Sequence, residues 1–160
     1  MANNNIQLSR KEKTYVDISL AFEPSPITAD LTLLKNERAI NNAIKNIILF
    51  MPLEVTFNRN IGSQVTSYLF DVVDYGSAGL LKLEIERAIN YNEPRVALTS
   101  LSQIRGYHNL QNGLINRNHQ DEAVYVEPQP ERNQFYVSIT YEIVGTDKIQ
   151  FVEQILTPTR

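Results

Sequence analysis

The sequence predicts an α+β fold, with three helices packed on a small antiparallel sheet formed mainly by the C-terminal half. Two observations support this prediction. Apolar residues recur at helical spacing over residues 36–92, whereas apolar and polar residues alternate in the runs between 124 and 156. The length of 160 residues suits one domain, which we expect over residues 14–160 after a flexible N-terminal arm at 1–13.

The helical part begins after a short strand predicted in TYVDISLAF, residues 14–22. Asn36 is a good N-cap for the first helix, which Pro52 stops. The second helix is expected from about Ser63 and the third from about Ser77. The inward-facing residues are Ile40, Ala43, Ile44, Ile47 and Ile48 in the first helix, Val65, Tyr68, Leu69, Val72 and Val73 in the second, and Leu81, Ile85, Ala88 and Ile89 in the third.

The chain becomes strand-like after Pro94. Four runs predict strands: VALTSLSQI, VYVEP, QFYVSITYEIV and IQFVEQIL. The third run is the clearest, because it places one set of large side chains on a single face: Phe135, Val137, Ile139, Tyr141 and Ile143. Residues 105–133 are polar and long, and we treat them as a loop or insertion.

Composition excludes several function classes. The net charge of −3 gives no electrostatic basis for binding nucleic acid or a membrane surface. The chain has no cysteine, which excludes disulfides and thiolate metal sites. No apolar run is long enough to span a bilayer, and the N-terminus lacks the apolar core of a signal peptide. We therefore expect a protein made in a cytoplasm, with no nucleic-acid or membrane partner.

The candidate catalytic carboxylates are Glu54, Asp71, Asp74 and Glu93. A glycosidase needs two carboxyl groups about 5–10 Å apart across the sugar bond. Phage lysozymes place an Asp nine positions after the catalytic Glu, and no Glu of this chain has an Asp at that spacing. Surface carboxylates are the norm, so we predict no catalytic residue and no enzyme activity.

Metal and cofactor sites have little support in the sequence. His108 and His119 both lie in the long polar loop, at a spacing that fits no compact zinc motif. Only Gly76 and Gly79 lie close together, which is a weak signal for a phosphate-binding loop. We predict neither a metal nor a cofactor.

Glu93, Pro94 and Arg95 form the most informative short motif. Proline disfavours helical geometry in the residue before it, so the third helix should end near Tyr91 or Asn92. Residues two apart in an extended segment point to the same side, so Glu93 and Arg95 should project together. Spacing alone leaves two interpretations open: a docking clamp for a partner, or a local charged pair that orients the turn.

Several motifs occur together and in order. The segments PLEVTFNRNIGSQVTSYLFDVVD and LEIERAINYNEPRV resemble the gene 25 family of contractile-tailed phages, a baseplate family related to a type VI secretion subunit. The matching elements are Phe57, Ile61-Gly62, Leu69-Phe70 and Glu93-Pro94-Arg95. The resemblance covers residues 30–100 well and the later strands more loosely.

The resemblance implies a structural role in the virion tail. In this family the Glu93-Pro94-Arg95 turn is expected to dock on the helical core of the baseplate wedge. The expected partners are other wedge proteins, the tail sheath protein and tube-initiating hub proteins. Because family members are often labelled lysozyme-like, the alternative function is a peptidoglycan hydrolase that acts during tail penetration.

The last strand adds a physical reason for the sheath contact. Ile149, Phe151 and Ile155 should lie on one face of it, with Val152 and Leu156 on the other. A terminal strand with apolar residues on both faces is costly to leave as a free edge. We therefore expect these five residues to take part in strand addition with the sheath, unless the strand is already buried under the helices.

Overall fold

The computed structural model describes residues 14–19, 23–100, 122–145 and 148–158. These residues form three α-helices and two antiparallel sheets, with most strands in the C-terminal half, which confirms the predicted α+β class. The elements are β1 (Val16–Ile18), β2 (Leu33–Lys35), α1 (Glu37–Leu49), α2 (Val65–Tyr68), α3 (Tyr75–Asn92), β3 (Val96–Leu98), β4 (Val124–Gln129), β5 (Gln134–Ile143) and β6 (Lys148–Leu156).

The chain divides into two compact units, residues 1–40 and residues 41–160. The N-terminal unit contains the antiparallel pair β1–β2, of which only β1 was predicted. Tyr15 and Asn36 close this pair: the Tyr15 N–H donates to Asn36 Oδ1 at 3.1 Å, and the Asn36 N–H donates to the Tyr15 carbonyl at 2.7 Å. The expected arm at residues 1–13 lies outside the described residues, and the single domain over 14–160 stays a prediction.

In the C-terminal unit, β5 is the central strand of a four-stranded sheet. β3 and β4 lie one after the other along one edge of β5, and β6 lies along the other edge. All three pairings are antiparallel. Each of the four predicted runs therefore contains a strand. In VALTSLSQI the strand ends at Leu98, before Thr99 and Ser100, and the part from Leu101 lies outside the described residues.

One face of this sheet is buried and holds the predicted apolar set of β5. In β6, Val152 lies opposite Ile139 and Leu156 lies opposite Phe135, so both belong to the same face. Each of the two is only 2% exposed. The remaining buried apolar side chains of the sheet are Val96, Val124, Val137, Tyr141 and Ile143.

Most of the loop expected at 105–133 lies outside the described residues, which resume at Glu122. Its described C-terminal part contains β4 and a 3₁₀ turn at Pro130–Arg132. Asn133 follows in the left-handed region with φ 49° and leads directly into β5. The strand predicted in the VYVEP run is therefore present as part of β4, whereas the loop or insertion over 105–133 stays a prediction.

α3 is the longest described helix and starts earlier than expected. Asp74 is its N-cap: the carboxylate accepts from the Ser77 N–H at 2.7 Å, and the Ser77 hydroxyl accepts from the Asp74 N–H at 3.1 Å. This reciprocal capping box offsets the low helix propensity of Gly76 and Gly79 in the first turns. The four inward residues predicted for α3 are buried.

α2 is much shorter than predicted. It ends at Tyr68, and Val72, expected on its inward stripe, is 77% exposed. The reason is local: because Asp74 starts α3, residues 69–73 must turn the chain between two helices. α1 agrees with its prediction, starting one residue after Asn36 and ending before Pro52. Among the described residues, none of the helices has the length and apolarity that crossing a bilayer demands.

The segment Gly62–Gln64 joins the end of α1 to α3. The Ser63 hydroxyl donates to the Ile48 carbonyl at 2.7 Å, and the Ser63 N–H donates to the Phe50 carbonyl at 2.8 Å. These bonds satisfy carbonyls that the end of a helix leaves without partners. Gly62 has φ 126°, and a Cβ there would lie 2.5 Å from the Phe50 carbonyl oxygen. Only glycine fits at position 62, where the chain crosses the end of α1 next to the Phe50 carbonyl.

We predict that Gly62→Ala lowers the free energy of unfolding by on the order of 3 kcal/mol, because it combines backbone strain with a clash against fixed backbone. Gly145→Ala is the matched control, because Gly145 also has positive φ (86°), yet a Cβ added there would meet nothing within 4 Å. Chemical denaturation measures both losses. Equal losses for the two variants would contradict the proposed clash at Gly62.

Candidate docking surfaces

α3 ends where Pro94 predicts. Asn92 is its last residue, and Glu93 leaves helical geometry with φ −124° and ψ 78°. The Glu93 N–H still donates to the Ile89 carbonyl at 2.9 Å, so the turn stays attached to the helix. On its other side, the Val144 N–H donates to the Arg95 carbonyl at 2.9 Å. The turn is therefore fixed to both α3 and the end of β5.

Glu93 and Arg95 point to the same side and form an ion pair. Arg95 Nε donates to Glu93 Oε1 at 2.5 Å, and Arg95 Nη2 donates to Glu93 Oε2. The Arg95 N–H adds a third, longer bond to Oε1 at 3.3 Å. The Glu93 side chain is only 4% exposed, whereas the Arg95 side chain is 34% exposed. Glu93 thus holds the arginine, and Arg95 with the exposed ring of Pro94 forms the accessible part of the motif.

β6 presents an open edge. Among the described residues, β6 pairs with β5 alone. The Thr140 N–H donates to the Ala123 carbonyl at 2.7 Å, and the Thr140 carbonyl accepts from the Thr99 N–H at 3.3 Å. The backbone groups of Thr140 therefore face β4 and β3. Since the backbone N–H and C=O groups of successive residues point to opposite edges of a strand, the odd-numbered residues of β5 direct their N–H and C=O groups toward β6.

The same alternation fixes which residues of β6 direct their backbone groups away from β5. Ile139 lies opposite Val152, so Val152 directs its backbone groups inward to β5. The outward-directed backbone groups belong to Ile149, Phe151, Glu153 and Ile155. The Ile155 carbonyl accepts a long 3.4 Å bond from the Gln154 side chain. The open edge of β6 thus offers a row of N–H and C=O groups from alternate residues.

The side chains of those residues lie on the sheet face opposite the buried one. Phe151 is 44% exposed and Ile155 is 55% exposed. Tyr136, opposite Ile155 on β5, donates its hydroxyl to Glu153 Oε1 at 2.7 Å. Burial, with help from this hydrogen bond and the Glu153 charge, raises the pKa of Tyr136 to about 12. The five predicted β6 residues therefore divide: Val152 and Leu156 fill the core, whereas Ile149, Phe151 and Ile155 lie on the outer face.

The other candidate carboxylates have local structural contacts. Glu54 Oε2 accepts from the Met51 N–H at 2.9 Å. The N–H and hydroxyl of Ser77 lower the pKa of Asp74 at the start of α3. Asp71 is exposed in the turn between α2 and α3. Each of these groups lies in a loop, turn or cap, as the sequence suggested.

The metal candidates His108 and His119 lie outside the described residues. Within the described parts of the chain, no group of three metal-binding side chains comes together. Gly76 and Gly79, the weak phosphate-loop candidates, both lie in α3.

Sequence reasoning missed a second buried carboxylate, Glu84 of α3. It accepts from Arg87 Nε at 2.9 Å and Nη2 at 2.7 Å, and from the Gln64 N–H at 2.8 Å. These donors, Arg87 first, lower the pKa of Glu84 although desolvation opposes them. The signal in the sequence was the i,i+3 spacing of Glu84 and Arg87, next to the inward residue Ile85.

We predict that Glu84 makes the protein sensitive to acid. Its lowered folded-state pKa stabilises the fold above the unfolded-state value of about 4.3, and this contribution disappears as pH falls through the folded-state pKa. Glu84→Gln should cost roughly 1–3 kcal/mol near neutral pH and flatten the loss of stability toward pH ~3. Glu86→Gln, on the same helix, is the control. An unchanged acid slope in Glu84→Gln, measured by denaturation across pH, would contradict this role.

Comparisons with known proteins locate the fold. No protein-family model and no curated protein sequence matches the chain. Among solved structures, it is similar to a protein of Geobacter sulfurreducens provisionally described as a tail lysozyme, with a TM-score of 0.57 and 18% sequence identity. The match covers 78% of this chain and 92% of that one. At this identity the likeness shows a shared fold.

Proposed function

We propose that this protein is a structural subunit of the baseplate of a contractile tail. As a wedge subunit it docks on the wedge core through Arg95, and it initiates sheath assembly by strand addition at β6. Its partners are the other wedge proteins, the sheath protein and tube-initiating hub proteins. It acts in the virion tail as a non-enzymatic component, without cofactor or metal.

The open edge of β6 carries this proposal. A strand that leaves alternate backbone groups unpaired is a template for another strand. On the outer face, the exposed side chains of Phe151 and Ile155 add apolar area that an incoming strand with its own apolar side chains would cover. Many proteins blunt such edges with lysine, proline or bulges, whereas the outward positions of β6 hold Ile149, Phe151, Glu153 and Ile155.

The Glu93–Arg95 pair supports docking at a second place. A buried carboxylate that holds a guanidinium in one orientation reduces the entropy lost when that guanidinium binds a partner. The partly exposed guanidinium of Arg95 suits a carboxylate or a row of carbonyls on the partner. The wedge-core contact that the sequence resemblance implies is of this kind.

Two observations favour assembly over peptidoglycan hydrolysis. A general acid of a glycosidase needs a raised pKa, whereas Arg87 lowers the pKa of Glu84. Among the described residues, the buried carboxylates are Glu84 within α3 and Glu93 at its C-terminal cap. Their nine-residue separation corresponds to about 13 Å along the helix axis. That exceeds the separation of about 5–10 Å that glycosidase carboxyl groups need.

The structural neighbour is consistent with both functions, since it is described as a tail lysozyme. The two chains share the fold. Both candidate functions, baseplate subunit and hydrolase, are those of a tail component. The motif order of the sequence favours the baseplate role over the hydrolase role.

We predict that replacing Arg95 abolishes co-purification with the wedge proteins of the same tail. Arg95→Ala alone strands the buried Glu93 carboxylate and should cost about 3 kcal/mol or more of stability. The informative variant is therefore Glu93→Gln with Arg95→Gln, which removes both charges and leaves two amides able to hydrogen-bond. Loss of wedge binding by this double variant, with an unchanged melting transition, is the expected result. Wild-type binding would show that Arg95 does not dock.

Proline substitutions test strand addition. Glu153→Pro removes an outward N–H and should leave the sheet intact while blocking sheath growth on baseplates. Gln154→Pro removes an inward N–H that pairs with β5 and should destabilise the domain. Glu153→Ala controls for losing the Tyr136 hydrogen bond. Electron microscopy measures the fraction of tails that carry a sheath. Normal sheaths on particles with a folded Glu153→Pro subunit would contradict strand addition at this edge.

A further inference from the structure

The loop after α1 exposes a set of large apolar side chains. Phe57 is 100% exposed and Leu53 is 72% exposed. Leu49 and Met51, just before them, are 49% and 46% exposed. Single exposed apolar residues are common on protein surfaces, but four within nine residues form a concentrated apolar surface. We call residues 50–62, which follow α1, the Phe57 loop.

Backbone contacts hold this loop in one shape. The Leu53 N–H donates to the Arg59 carbonyl at 2.9 Å, which closes the loop around Phe57. The Glu54 N–H donates to the Met51 carbonyl at 3.1 Å, while the Glu54 carboxylate accepts from the Met51 N–H. Leu53 has φ 77°, a left-handed conformation that a leucine adopts only under constraint. Phe57 therefore projects from a shaped loop rather than from a free coil.

The base of the loop is fixed to the helix that ends at the Glu93–Arg95 pair. Asn92 Nδ2 donates to the Gly62 carbonyl at 3.3 Å and to the Ala88 carbonyl at 2.9 Å. Asn92 directly precedes Glu93. Residue 62, at the end of the loop, and the Glu93–Arg95 pair are thus both attached to the last turn of α3.

We propose that Phe57 is an apolar anchor that inserts into a pocket of the protein partner that docks at Arg95. This rests on the proposed function and specifies the partner's surface: an apolar pocket for one aromatic ring, beside an acceptor group for a guanidinium. Aromatic anchors in pockets supply most of the affinity in many interfaces. The charges of Glu54 and Arg59 cancel, and the chain carries −3 overall, so an anionic membrane is the poorer occupant.

The absence of tryptophan gives a direct test. Phe57→Trp introduces a single tryptophan, whose emission should be that of a water-exposed indole in the free protein. Addition of the purified wedge proteins should shift the emission to the blue. Phe70→Trp is the matched control, because Phe70 is 64% exposed at the turn after α2 and should not respond. A Phe57→Trp emission that stays unchanged while the complex forms would overturn the proposal.

Vesicles of phosphatidylcholine with phosphatidylglycerol form the second arm. They should leave the emission of Phe57→Trp unchanged. A blue shift with vesicles but not with wedge proteins would overturn the protein pocket and show that Phe57 inserts into a lipid surface. Phe57→Ala should weaken wedge binding on the order of tenfold or more, with no change in folding, because the fully exposed ring adds nothing to the core.

The outcomes separate this inference from the function it rests on. If the Glu93→Gln, Arg95→Gln variant fails to bind while Phe57→Ala binds normally, the anchor is wrong and the docking function stands. If the unaltered chain binds none of the wedge proteins, both are wrong.

Discussion

The segment Gly62–Gln64 is the constraint on which the surfaces around α3 depend. Gly62 passes the Phe50 carbonyl at a distance that admits no side chain, Ser63 binds the end of α1, and the Gln64 N–H binds Glu84 of α3. The crossing sets where the Phe57 loop starts and ends. It also brings the Gly62 carbonyl to Asn92, next to the Glu93–Arg95 pair.

The Glu93–Arg95 pair shows why a buried ion pair fits a positioning role. Buried ion pairs contribute little net stability, because desolvation offsets their attraction, yet removing one partner is costly. Here the carboxylate is buried and the arginine is partly exposed, so the pair fixes the direction of a cation at the surface. The backbone carbonyl of Arg95 accepts from the Val144 N–H just after β5, which joins the Glu93–Arg95 pair to the sheet that carries β6.

The sequence predicted elements whose periodicity is strong. β5 alternates cleanly, and α1 and α3 keep an inward apolar stripe, so tertiary packing and local pattern agree. α2 was overpredicted, because Val72 and Val73 continue a helical spacing that the Asp74 cap interrupts. β2 was missed, because the adjacent apolar residues Leu33 and Leu34 show no alternation.

The surfaces were predictable in part: alternation in β6 separated Phe151 and Ile155 from Val152 and Leu156, and Pro94 predicted the end of α3. Alternation does not state the order of strands in a sheet, so sequence could not show which edge of β6 is open. Burial of Glu84 and Glu93 also depends on what packs around α3, and the exposure of Phe57 depends on the closed loop.

A map of the assembled tail at side-chain resolution is the decisive test of strand addition at β6. We expect a strand of the sheath protein beside β6, bonded to the backbone groups of Ile149, Phe151, Glu153 and Ile155. We also expect a wedge protein in contact with Arg95. A β6 edge that faces solvent in the assembled tail, or one covered by a helix, would rule out strand addition at this edge.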